Sequence, residues 1–250
     1  MRDSNLYQLL RINMVVHNKN SEHLPEGYRV AYTSDQLHLS KKGYYGVAVI
    51  NNKMKQIVIC SAGTGFNSNN LLDLMEDMES NSYIMQGKLP KQYDYALKFT
   101  KYSLEHLPAD YKIIITGYSL GGILADLVTY SLASKYPNKL KDITFENPGS
   151  YNLILKNFAN QDVKQVKEIQ ASFKSYNSAK PNLVNIFDKQ IGEVVKICLN
   201  ENKFSENFSK NKIINQLIDG HLFSNFISGA IDEHGNVNLC GNAGFYEVDA

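Results

Sequence analysis

The chain has no apolar run approaching the eighteen or so residues that a membrane-spanning helix needs. It also has almost no excess of charge: 26 basic residues stand against 25 acidic ones in 250 positions, a formal net of +1. That balance gives a nucleic-acid-binding function no electrostatic support. Cysteine is scarce. Cys60, Cys198 and Cys240 form an odd and widely spaced set, which argues against a disulfide framework and against a zinc ribbon or finger, and is read as a sign of a reduced compartment. The first residues lack the apolar block and cleavage site of a Sec leader, because Asn5, Gln8 and Arg11 interrupt Leu6, Leu9, Leu10 and Ile12. A cytoplasmic location, or export by a route other than Sec, is the expectation.

What is present suits one sizeable core. Of 250 residues, 43% are hydrophobic, and neither an internal repeat nor a convincing linker divides them, so residues 1–250 are expected to form one domain. Amphipathic spacing predicts a helix over 4–17, and β-branched runs predict paired strands at 44–51 and 56–62. Helical patterns follow at 70–79 and 91–107, the second ending before Pro108. The isoleucine run at 112–116 reads as a doubly buried parallel strand, 120–135 as a packed helix and 143–146 as the next strand. Strand, helix, strand in that order is the signature of a parallel α/β sheet flanked by helices. Residues 150–180 look irregular, with a helical piece near 161–173, and are an insertion or cap candidate. Strand character returns at 183–187 and 193–199, a polar loop covers 203–215, and 221–231 reads as the last helix.

One turn stands out. The strand at 112–116 runs directly into Gly117-Tyr118-Ser119-Leu120-Gly121, and a helix begins directly after it. Such a strand-to-helix turn presents a serine hydroxyl at the sheet edge, and the positions two before and two after it must lack side chains. Gly117 and Gly121 meet that demand. A helix starting at the serine also aims its amides and dipole at a developing oxyanion, which makes the Leu120 amide one expected donor. A phosphate-binding turn would instead need Gly-Lys-Ser/Thr or Gly-x-Gly-x-x-Gly spacing, which this segment does not have.

The stretch Ile-Thr-Gly-Tyr-Ser-Leu-Gly-Gly-Ile-Leu-Ala-Asp-Leu (115–127) resembles the nucleophile elbow of class 3 lipases, the fungal triacylglycerol lipase-like group of α/β-hydrolases. The resemblance runs as an ordered set of motifs over roughly residues 40–231, and departs at Tyr118, where that family usually carries His. Ser61-Ala62-Gly63-Thr64-Gly65 is similar to the family's Arg-Gly-Thr/Ser loop, with Ala62 in place of the arginine. By that resemblance Thr64 offers its amide as the second oxyanion donor.

A serine needs a general base, and the base an acid to orient it, in the chain order Ser, acid, His. Of six histidines only His221 and His234 follow the elbow. His221 opens a helix anchored by Leu222, Phe223, Phe226 and Ile227, and looks like the class 3 lipase histidine. His234 lies in a polar turn with little to hold an imidazole. For the acid, Asp188 closes the predicted strand 183–187, and Asn185-Ile186-Phe187-Asp188 resembles the family's strand ending in Asn-x-x-Asp. Asp219, two residues before His221, is the competitor. Asp126, seven residues along the elbow helix, is set aside as pointing away from the rim. Glu146-Asn147-Pro148-Gly149 resembles the Phe-x-x-Pro segment of the family and is read as a turn.

The resemblance implies an α/β-hydrolase fold and hydrolysis of acyl esters of lipids through an acyl-serine, by a lipase or phospholipase in transient contact with a lipid surface, without metal or cofactor and without nucleic acid. Two alternatives stay open. One keeps the triad but acts on, or transfers acyl groups from, a small soluble ester. The other is an inactive hydrolase-like binding protein.

Overall fold

The computed structural model describes residues 4–18, 23–63, 84, 86–158, 163–179, 188–198, 229–230, 236–240 and 244–245. The predicted helix at 70–79, the strand at 183–187, the loop at 203–215 and most of the last helix lie outside them.

Among the described residues eight strands form one sheet in sequence order: β1 (Arg29–Thr33), β2 (Gly46–Asn51), β3 (Gln56–Ser61), β4 (Lys112–Tyr118), β5 (Leu140–Phe145), β6 (Phe173–Ser178), β7 (Glu193–Ile197) and β8 (Gly244–Phe245). The run from β3 through β7 is parallel, while β1, β2 and β8 add antiparallel edges. The β2–β3 hairpin turns through residues 52–55, with the Met54 amide donating to Asn51 Oδ1 at 3.0 Å.

Alternation along the strands sends successive side chains to opposite layers. Ile113 and Ile115 of β4, with Ile57 and Ile59 of β3, face α2 (Tyr93–Glu105), α3 (Leu120–Leu132), α4 (Tyr151–Asn157) and α5 (Val163–Ile169). Ile114, Val58, Phe145 and Tyr176 face α1 (Ser4–Asn18). In α1 the residues Leu6, Leu9, Leu10, Asn13 and Val16, spaced i, i+3, i+4, are all buried, as one helix face demands. Asn13 is the polar member of that face: its Nδ2 donates to Thr116 Oγ1 at 2.9 Å and its Oδ1 accepts from the Cys60 thiol at 3.3 Å. The helix is thereby registered on β3 and β4. No helix among the described residues is long and apolar enough to cross a membrane.

Two expectations are corrected. Residues 150–180 do not stand apart from the sheet as an insertion: they carry α4, α5 and β6, and β6 lies between β5 and β7. Its polar letters concealed it. Ser175, Asn177 and Ser178 are buried, and Asn177 both accepts from the Asn147 amide (3.2 Å) and from Ser175 Oγ (2.7 Å) and donates to the Asn147 carbonyl (3.3 Å). Polar residues so satisfied can sit inside a sheet. The cysteines are also not all unpaired. Cys198, just after β7, is disulfide-bonded to Cys240, with Cα atoms 5.2 Å apart, and only Cys60 is free, buried under α1. Wide spacing misled because the fold returns residue 240 to the end of β7, where Ile197 bridges Leu239.

Candidate active site

The site begins where β4 ends. Ser119 has φ 55° and ψ −125°, a region that non-glycine residues occupy only at a strain of order 1–3 kcal/mol and that is concentrated at functional positions. What holds it there is local. Its amide donates to the Phe145 carbonyl at the end of β5, 3.0 Å away, and its carbonyl accepts from the Gly122 amide at 2.8 Å, closing the first turn of α3. Its side chain makes no cap hydrogen bond to the helix and is only half-buried. The hydroxyl is thus not spent on capping, the bland role a serine here would otherwise have.

The glycines answer a steric demand. A Cβ on Gly117 would collide with the Gly121 carbonyl, and one on Gly121 would stand 2.9 Å from the Ala62 carbonyl carbon and 3.0 Å from the Gly63 amide nitrogen. A Cβ on Gly63 would lie 2.8 Å from the Tyr118 carbonyl, and 3.7 and 3.6 Å from the amides of Leu120 and Gly121. The loop leaving β3 is therefore laid against the elbow and the start of α3. Ala62 is tied back by its amide to the Tyr45 carbonyl at 3.0 Å, and Tyr44 and Ser61 share a hydroxyl hydrogen bond of 3.0 Å. Leu120 is buried at the first turn of α3. Thr64, the second expected oxyanion donor, lies outside the described residues, as do His221, His234 and Asp219.

Asp188 is on the same rim, and its carboxylate has work there. Oδ1 accepts from the Asn152 amide (3.2 Å), Asn152 Nδ2 (2.7 Å) and the Lys189 amide (2.7 Å), while Oδ2 accepts from the Leu153 amide at 3.2 Å. Asp188 thereby caps α4, where a negative charge is favoured by the helix dipole and exposed amides. Its own amide donates to the Pro148 carbonyl at 3.0 Å.

Two features were not anticipated. Behind the elbow, Asp126 of α3 and Asp142 of β5 are both buried. Asp126 Oδ2 accepts from Asn147 Nδ2 at 2.9 Å and from the Ser150 hydroxyl, and Asp142 Oδ2 accepts from Thr129 Oγ1 at 3.0 Å. Burial pushes the Asp126 carboxyl up to about 7 and Asp142 higher than its ordinary range, the latter also through the charge of Asp126. The second feature is Glu146. It follows β5 immediately, has φ +46°, is fully buried, and accepts a hydrogen bond from the Ser178 amide on one carboxylate oxygen. Its charge acts on Tyr118, whose phenol burial already pushes well up. An acid at the end of a parallel strand beside the elbow strand was the available signal, masked by the turn-like Asn-Pro-Gly that follows.

Residues 60–180 match the model of the family described as Lipase (class 3). Over those residues the chain is similar to the class 3 lipases. A lipase II of Rhizopus niveus shares the fold at 15% identity and TM-score 0.53, with 94% of each chain covered. A lipase of Yarrowia lipolytica does so at 13% identity and TM-score 0.50, covering 96% of this chain and 95% of that one. In sequence the chain is 31% identical over 176 residues to an uncharacterized protein of Rickettsia prowazekii (strain Madrid E), across 66% of this chain. It spans 45% of the length of that relative. The α/β-hydrolase fold expected from the sequence is therefore the fold observed, and the departures at Ala62 and Tyr118 sit inside a family match.

Proposed function

We propose that this protein, similar over residues 60–180 to the class 3 lipases, is a serine-dependent carboxylic ester hydrolase acting on acyl esters of lipids, neutral or phospholipid, at a lipid surface. The observation that carries the reading is Ser119: a strained residue between a buried strand and a helix N-terminus, packed by Gly63, Gly117 and Gly121, with a hydroxyl not engaged in capping.

In this reading Ser119 Oγ attacks the acyl carbon as His221 takes its proton. The carbonyl oxygen gains the negative charge, received by the amides of Leu120 and Thr64. Collapse of the tetrahedral adduct expels the alcohol, which receives the proton from His221 and leaves an acyl-serine. Water activated by the same histidine then releases the fatty acid and restores Ser119. The acid that orients His221 is a carboxylate of the sheet's C-terminal rim, where the sequence candidate Asp188 and the buried Glu146 both stand. The Cys198–Cys240 disulfide favours an oxidising compartment and hence export over a cytoplasmic site.

Chain-length profiling tests the substrate. Nitrophenyl esters of two to sixteen carbons, emulsified triglyceride and phospholipid vesicles should show rates rising with chain length and at the interface. A protein confined to short soluble esters is an esterase or acyltransferase, and one with no turnover of any ester is a silent binding protein.

A further inference from the structure

We propose that Glu146, rather than Asp188, is the carboxylate that orients the base of this hydrolase, as a positioning residue one strand away from the nucleophile. The inference rests on the serine-hydrolase reading above and assigns the one role in it that two rim carboxylates contest.

Place is the first argument. In the parallel register of β4 and β5, Gly117 is opposite Thr144 and Tyr118 opposite Phe145, which brings Glu146 level with Ser119. The Ser119 amide bonds to the carbonyl of the residue just before Glu146, at 3.0 Å. Neighbouring strands lie about 4.8 Å apart, so the acid sits at the rim where the base must approach Ser119. Chain order is also kept, since Ser119, Glu146 and His221 follow the sequence nucleophile, acid, base, and Glu serves as well as Asp in that position.

Physical character is the second. Glu146 is fully buried, and a carboxylate removed from water needs strong partners to remain there. One is the Ser178 amide at the end of β6, which ties the carboxylate to the C-terminal rim of the sheet. The residue is also held at φ +46°, a conformation disfavoured for a long side chain and retained where the surroundings over-determine it. Two strained residues, Ser119 and Glu146, thus end adjacent strands of the sheet.

The third argument is what the other acids are doing. Asp188 accepts from three backbone amides and one side-chain amide around the start of α4, so turning toward an imidazole would strip the helix of its cap. Asp126 of α3 and Asp142 of β5 are held by Asn147, Ser150 and Thr129 in the buried layer between that helix and the sheet, and burial raises both carboxyls.

The test compares Glu146→Gln, Glu146→Asp, Asp188→Asn and Ser119→Ala with the wild type. The readouts are kcat and KM on a soluble nitrophenyl butyrate from pH 5 to 9, fluorophosphonate labelling rate, and melting temperature. Glu146→Gln should lower kcat by roughly 10³- to 10⁴-fold, the scale of losing a triad acid, with KM within threefold and the acid limb of the pH profile displaced. Glu146→Asp should recover at least tenfold of that loss. Asp188→Asn should keep kcat within tenfold while melting lower. A Glu146→Gln enzyme within tenfold of wild type overturns the proposal. Should Glu146→Gln not fold, Asp188→Asn decides: a loss of 10³-fold or more in a folded protein overturns it, and near-normal turnover supports it. Failure of the wild type to label at all would sink the hydrolase reading itself, a result distinct from any of these.

Discussion

The amide of Ser119 donates to the carbonyl of Phe145 across 3.0 Å, and this one bond ties the nucleophile candidate to the end of the neighbouring strand. It fixes Ser119 at positive φ and sets the level at which the residue after Phe145 meets the rim. Consequences for stability and activity follow from how tightly that corner is built.

Gly117→Ala and Gly121→Ala should each damage the elbow, because the added Cβ meets backbone rather than the movable end of a side chain. Overpacking of this kind destabilises by roughly 1–3 kcal/mol, and shifting Ser119 should reduce kcat by at least tenfold. Denaturant unfolding and ester turnover check both effects. An alanine variant at either position with wild-type values of each would show that the corner has slack.

The elbow was legible because its chemistry is local. A β-branched run, a glycine two residues either side of the serine and a helix pattern after it all lie within about twenty residues, and the structure reproduces them as β4, Ser119 and α3. β6 was hidden because Ser175, Asn177 and Ser178 are polar, and only the tertiary network with Asn147 explains their burial. The role of Asp188 at α4 was equally invisible, since its partners Asn152 and Leu153 are some 35 residues away in the chain. Glu146 carried a turn-like sequence, and neither its burial nor its φ can be read from letters.

The carboxyl pair under α3 makes stability depend on pH. Burial raises Asp126 to about 7 and Asp142 above its ordinary range, whereas in the unfolded chain both titrate near 4. Between those limits the folded state binds more protons than the unfolded one, so this contribution is fully present below pH 4 and is lost as pH rises through about 7. Asp142→Asn should therefore be less sensitive than the wild type to a change from pH 5 to pH 8. Unfolding free energies by urea at the two pH values measure this, and equal losses in both proteins would refute it.

The disulfide should matter for the C-terminal region. Cys198 and Cys240 are 42 residues apart in sequence, and the chain-entropy relation puts closure of such a loop at about 4 kcal/mol. The closed segment contains His221. A Cys198→Ser/Cys240→Ser double variant should melt lower and lose turnover before global unfolding. Parallel activity and far-ultraviolet melting curves test it, with coincident curves at the wild-type temperature as the contrary result.

A hydrophobic probe of the α1 layer gives a separate measure of the fold. Ile114 is buried between β4 and that helix, and Ile114→Ala should cost about 2–5 kcal/mol by the usual scale for emptying a core position. Asn13→Leu should also destabilise, since it strands Thr116 Oγ1 and the Cys60 thiol without their partner. Urea midpoints report both, and unchanged values would place α1 outside the cooperative core.

The central claim concerns Ser119, and its most direct test is to locate a covalent adduct. Wild-type protein treated with a fluorophosphonate should gain a single phosphonyl group, and peptide mass spectrometry should find it on the fragment containing Ser119, with Ser119→Ala unmodified. An unmodified wild type, or an adduct on a different residue with Ser119→Ala labelling equally fast, would contradict the account.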